Sequence, residues 1–176
     1  MKVLLAHNST YFPSIGGGDK SNRLLMEALV ARGHTVRVVT RVEKFGPEGH
    51  EQMLRELAAR NVPVEAADGV CIHFRMGGVD VHALSQNPLL RGFFQSQIDD
   101  FDPDIIITST DDPGHLLFDL AVKAPRSRVV YLVRATIAVP FGPDSSMVSA
   151  AKTETLKRAD GVVGVSHYVA GYVREW

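Results

Sequence analysis

Three glycines and an aspartate, Gly16-Gly17-Gly18-Asp19, stand between an apolar strand and a helical run. The strand is Val3-Leu4-Leu5-Ala6, an uncharged loop covers 7–15, and Leu24, Leu25, Ala28 and Leu29 form a stripe at helical spacing that Gly33 closes. Strand, glycines and helix start, in that order, make an anion site. The first amides of a helix lack partners inside it and lie at the positive end of its dipole. Glycines let a phosphate approach that backbone with no Cβ in the way. The chain is therefore read as binding a phosphorylated ligand, a nucleotide derivative. Its spacing fits neither common fingerprint. A dinucleotide site has its glycines directly after the strand and an acid at the end of the second strand, whereas here that strand ends Val39-Thr40-Arg41. A P-loop has Gly followed directly by Lys and Ser or Thr, but Asp19 separates Gly18 from Lys20-Ser21. The plain alternative is a loop tip with no ligand.

Further groups follow the later strands. Arg134 comes after the apolar Val129-Val130-Tyr131-Leu132-Val133 and before a loop stiffened by Pro140 and Pro143. A guanidinium there can grip phosphate through two parallel hydrogen bonds; the alternative is a solvated loop arginine or an ion pair with Asp111 or Asp112. Asp111, Asp112 and His115 share the loop after another strand and could orient hydroxyl groups. Next to Pro113, the two aspartates could equally cap a helix. Asp102 and Asp104 precede their strand, so they belong to the opposite edge, ending one helix and starting a strand. His34 is a turn residue after Gly33. His50, His73 and His82 show no paired acid or metal-ligand spacing, and the single cysteine, Cys71, reads as a small core residue.

The elements that position these groups alternate. Strands are expected at 3–6, 35–40, 79–84, 104–108, 129–133 and 161–165, with helices at 48–60, 88–101, 114–123 and 145–158 and one that Ser166 caps and that runs to Trp176. Asp68-Gly69 joins 62–67 to 70–74 as a hairpin, and Gly77-Gly78 makes a second turn. The fold class is α/β: a Rossmann-like, doubly wound, mostly parallel sheet with helices on both faces and a β-hairpin insertion. Ligands of such sheets lie beyond the carboxyl ends of the strands where strand order reverses, so loops 7–18, 109–115 and 134–143 should converge. At 176 residues and a formal net charge of -1, one domain is expected, with no basic surface for nucleic acid. One cysteine excludes an internal disulfide framework. No apolar run reaches membrane-spanning length and no signal peptide precedes the first strand, so a cytoplasmic chain is expected, peripheral attachment at the inner membrane being left open.

Four segments together resemble a family. They are Tyr11-Phe12-Pro13 with Gly16-Gly17, the run Ala31-Arg32-Gly33-His34-Thr35-Val36, Asp102-Pro103-Asp104 before a buried strand, and Ala159-Asp160-Gly161-Val162-Val163-Gly164-Val165-Ser166. In order and spacing they resemble the N-terminal domain of GT-B-fold retaining glycosyltransferases of the group-1 (family 4) type, over essentially the whole chain. The resemblance implies the acceptor-side half of a two-domain hexosyltransferase, with the nucleotide-sugar domain beyond Trp176. It implies a nucleotide-diphosphate sugar as donor, a hydroxyl acceptor (saccharide, lipid-linked or small molecule), no cofactor and no metal. The leaving diphosphate would assist attack on the same sugar face, with no obligatory protein nucleophile. Gly16, Gly17 and Gly18 would approach the diphosphate. Arg134 and His115 would be the catalytic groups, and Asp111, Asp112 and Tyr11 would meet the acceptor. The family commonly has a His where Arg134 stands, so the role of that His does not carry over. Two rivals are a non-catalytic nucleotide or phospho-ligand module and an NAD-dependent oxidoreductase, the latter disfavoured by the absent acid after the second strand.

Overall fold

Apolar residues two apart in the central strands supply two buried faces, and the computed structural model, which describes residues 1–176, shows both covered. The strands are β1 (Lys2–Ala6), β2 (Thr35–Arg41), β3 (Val64–Ala67), β4 (Cys71–Met76), β5 (Val79–Leu84), β6 (Ile105–Ser109), β7 (Arg128–Val133) and β8 (Gly161–Gly164). The helices are α1 (Gly17–Ala31), α2 (Pro47–Ala59), α3 (Asn87–Phe101), α4 (Phe118–Ala121), α5 (Ala150–Leu156) and α6 (His167–Glu175). The sheet order is β3-β4-β5-β2-β1-β6-β7-β8. From β5 to β8 all pairings are parallel, and β3 and β4 add antiparallel to the β5 edge. Strand order therefore reverses at β1, which lies between β2 and β6, and this is the crevice of a Rossmann-like sheet.

Alternation along β1 divides the core. Leu4 and Ala6 join α3, α4, α5 and α6 through Phe94, Phe118, Leu156 and Tyr172 on one face. Val3 and Leu5 join α1 and α2 through Met26, Met53 and Leu57 on the other. The turn chemistry expected from the sequence holds. Gly33, at a φ of +82°, ends α1, its N–H bonding Val30 O at 2.8 Å while His34 N–H bonds Leu29 O at 3.1 Å. Asp102 ends α3 in the left-handed region, and Asp104 accepts from Lys2 N–H at 2.7 Å, at the edge away from the crevice. Ser166 caps α6, accepting from Val169 N–H.

Three expectations need correction. The buried face of α1 is Asp19, Asn22 and Met26, not the leucine stripe; Leu24 is 51% exposed and Leu25 36%. The first turns of α1 lie over the strand ends, where polar groups emerge, so its inward face starts polar. The helix expected at 114–123 is only Phe118–Ala121, because Asp112 holds the preceding amides in a turn. The one expected at 145–158 is only Ala150–Leu156. The chain before it folds back on the loop after β7, with Ser145 Oγ donating to Val139 O at 2.6 Å and Ser149 N–H to Pro140 O at 2.9 Å.

Candidate functional site

At the carboxyl edge of β1, β6 and β7 the three expected loops meet, and their polar groups bond one another. His7, the first residue past β1, is fully buried between two carboxylates. Its Nε2 is 3.2 Å from Asp19 Oδ1 and its Nδ1 3.5 Å from Asp111 Oδ2. The first is an ion-pair distance that lacks hydrogen-bond alignment, since Nε2 has no hydrogen-bond partner. Burial opposes a charged ring, but Asp111 and Asp19 outweigh it and hold the His7 pKa above its ordinary value. Burial likewise opposes ionisation of Asp19, yet His7 and the Gly16 amide bring its carboxyl down to about 2. Asn22 joins the group, its side-chain nitrogen 3.0 Å from His7 Nδ1 and donating to Asp111 Oδ2 at 3.0 Å.

Asp19 also shapes the glycine segment. Its Oδ2 accepts from Gly16 N–H at 3.0 Å and Ile15 N–H at 3.3 Å. Gly16 therefore cannot be the phosphate donor that the sequence suggested; its amide is committed. The amides of Gly17 and Gly18 begin α1 and have no acceptor within the helix. None of these three glycines has a positive φ. A Cβ on Gly17 would meet nothing within 4 Å, and on Gly18 only Asp111 Oδ1, at an ordinary 3.4 Å. Neither a positive φ nor tight packing requires glycine at positions 17 and 18.

Arg134 crosses the crevice from β7 to α1. Its Nη1 donates to Ser21 Oγ at 2.7 Å and its Nη2 to Asn22 Oδ1, while its backbone N–H bonds Thr110 Oγ1 at 3.0 Å. It forms no ion pair with Asp111 or Asp112, and its buried Nε has no partner. The guanidinium is thus half-buried against the first turns of α1 with one N–H unpaired.

A family model described as a glycosyl transferase 4-like domain matches residues 16–176. The chain belongs to that family. Among solved structures it is similar to sucrose-phosphate synthase from Thermosynechococcus elongatus, at 15% identity and a TM-score of 0.66, over 100% of this chain and 45% of that one. Likeness at that identity speaks for the shared fold, and the chain spans less than half the length of the synthase. No curated protein matches by sequence.

Several site residues expected from the sequence are interior in this glycosyl transferase 4-like domain. Tyr11 is fully buried in the core on the α1 side, with an unpartnered hydroxyl whose ionisation burial disfavours, so it is not an acceptor contact. His115 is 1% exposed, packed edge-on against Phe118 and Tyr131, and burial lowers its pKa. It is a core histidine, out of reach of a substrate. Asp112 is the capping residue of the plainer reading: Oδ2 accepts from Leu117 N–H at 2.7 Å and Oδ1 from Asn8 Nδ2 at 3.2 Å. Asp111 stays at the crevice, half-buried, its Oδ2 held by Ser109 Oγ at 2.7 Å. His7, Asn22 and Ser21 were missed. A signal existed for Asn22, because Asp19, Asn22 and Met26 are themselves three and four apart and define the true inward face.

The histidine reading also changes. His73 and His82 both meet Asp80, at 2.5 and 3.4 Å, and His50 Nδ1 lies 2.6 Å from Ser85 Oγ. For His82 the acid is two residues earlier on the same strand, a spacing the sequence shows; for His73 it comes from the paired strand, which residue spacing could not reveal. No helix is long and apolar enough to cross a membrane.

Proposed function

We propose that this domain is the acceptor-side half of a retaining hexosyltransferase that uses a nucleotide-diphosphate sugar, its partner being a second domain that holds the nucleotide. The observation that carries the reading is the glycine start of α1, with Arg134 reaching across from β7 to Ser21 of the same helix at the carboxyl edge of the sheet, in a domain of this family. Both are suited to the diphosphate. Negative charge grows on it as the glycosidic bond breaks, so fixed donors stabilise the transition state more than the ground state. The departing phosphate oxygen then accepts the acceptor's proton, and attack on the same face keeps the anomeric configuration. Asp111, with Oδ1 turned toward Gly18, is the group left to orient an acceptor hydroxyl. No side chain in the crevice is placed as a nucleophile in this scheme.

The test is a nucleotide-release assay over a panel of nucleoside-diphosphate sugars, using a protein that carries this domain with its donor half. Turnover with a product of retained configuration, read by proton NMR of the anomeric signal, is expected. Nucleotide binding without release under any acceptor would favour the rival, a non-catalytic phospho-ligand module.

A further inference from the structure

Away from the crevice, the β4–β5 hairpin sets two imidazoles against one carboxylate. His73 pairs with His82 and Arg75 with Asp80 across these strands. Paired and alternate residues share a face, so His73, His82 and Asp80 all lie on the α3 side of the sheet. The rings stack with centroids 4.3 Å apart and planes within 12°. One ligating atom from each of His73, Asp80 and His82 lies within 4.8 Å of the others. A fourth donor stands beside them. Glu65 Oε2 is 3.3 Å from His73 Nε2, and Glu65 occupies the point where the β3–β4 register slips between Val64 and Ala66. Such a bulge re-aims a side chain that regular pairing would direct elsewhere.

We propose that His73, His82, Asp80 and Glu65 bind one divalent transition-metal ion of the zinc class, fastening the β3–β4 hairpin to the parallel sheet. Two imidazole nitrogens and two carboxylate oxygens are a borderline donor set, which suits zinc better than calcium or magnesium. Four-coordinate zinc with bonds of about 2.0–2.2 Å spaces its ligand atoms by roughly 3.2–3.6 Å; His82–Asp80 at 3.4 Å and His73–Glu65 at 3.3 Å already match this, whereas His73–Asp80 at 2.5 Å must open to admit the ion. Arg37 Nε holds Asp80 Oδ2 at 2.7 Å, which orients the carboxylate and leaves Oδ1 toward the imidazoles. Without an ion, His73 Nε2 lies 2.5 Å from Oδ1 while His82 Nε2 stands 3.4 Å from both carboxylate oxygens, Oδ2 being already held by Arg37. Stacked rings hold their lone pairs side by side, so a shared ion needs the rings to splay about χ2, a soft torsion for histidine. An open hollow of about 310 Å³, bordered by Ala66, Cys71, Phe93 and Gln97, gives them room. The His73 and His82 side chains are 28% and 14% exposed, so the ion has a path in. The site is structural and stands whether or not the domain transfers sugar.

Metal-free protein should be titrated with zinc against a chromophoric chelator, and with cobalt while its visible absorption is followed. One zinc per chain is expected, with a cobalt spectrum of four-coordinate intensity and a melting temperature raised by zinc. Glu65→Gln, at an accessible residue, should weaken zinc by about tenfold and the paired His73→Gln and His82→Gln change by more than about 100-fold. Failure of the unaltered protein to take up micromolar zinc overturns the proposal. So does zinc bound with unchanged affinity by the Glu65→Gln protein and by the double variant, which would leave the cluster as ion pairs alone.

Discussion

Arg134 is the residue on which the proposed chemistry turns. It is held by Ser21, Asn22 and Thr110 yet keeps a buried Nε with no acceptor. Losing a preorganised donor of this kind costs roughly 2–4 kcal/mol of transition-state stabilisation. Arg134→Lys keeps the charge but not the two-pronged grip, so it should lower kcat in a transfer-competent protein with little loss of melting temperature. A variant that melts early while its folded fraction turns over normally would make Arg134 a structural strut. His7 supports a second prediction, about pH. Its folded pKa lies above the ordinary 6.5, so the stability it contributes is fully present below 6.5 and lost as pH rises through the folded value. Asp19 works from the other side, contributing above 3.8 and losing its contribution as pH falls through about 2. The His7–Asp19 pair should therefore be strongest between those limits. His7→Gln should flatten the alkaline decline in melting temperature, measured by calorimetry across pH 5 to about 9; an unchanged slope would mean the ring stays neutral throughout.

At the scale of elements, the glycine start of α1 can be separated from the helix it begins. Gly17 has ordinary φ and open space at its Cβ position, so Gly17→Ala should leave stability unchanged or raise it by about 0.4–1 kcal/mol. The methyl group would stand where phosphate is proposed to approach, so transfer should slow while the melting temperature holds or rises. Equal turnover in both proteins would reduce the segment to a connection. The same helix shows what sequence could and could not reveal. Its end was legible, because Gly33 acts through a local backbone rule at a φ of +82°, and its start follows the glycine run that closes the preceding loop. Its phase was not: Leu24 and Leu25 outweigh Asp19 and Asn22 on any hydropathy scale, and only the strand ends beneath α1 make a polar inward face favourable. Asp68-Gly69 and Gly77-Gly78 fixed the hairpin for local reasons too. The meeting of His73 with His82 and Asp80, by contrast, is a product of strand register, although Asp80 and His82 themselves stand two apart on β5. His115 and Asp112 lay in the expected loop, but nothing in their spacing told that the loop turns both side chains inward.

At the scale of the whole molecule, the crevice is one wall of a site rather than a pocket. Gly17, Gly18 and Arg134 offer a phosphate a few donors, and Asp111 offers a hydroxyl one acceptor. The aromatic rings near the strand ends, Tyr11 and Tyr131, are fully buried, so neither can stack on a nucleobase. The core on both sheet faces is built from this chain's own helices, so the domain should fold alone. Binding of a nucleotide sugar should nevertheless be weak, since a handful of phosphate contacts must first offset the lost freedom of association. Calorimetry of this chain with common nucleoside-diphosphate sugars should give dissociation constants weaker than roughly 0.1 mM. Adding the donor half should tighten binding by supplying contacts to base and sugar, with Arg134→Lys then removing part of the gain. Sub-micromolar affinity for one such sugar in this domain alone would overturn the two-domain reading, because a wall with phosphate contacts only cannot supply it.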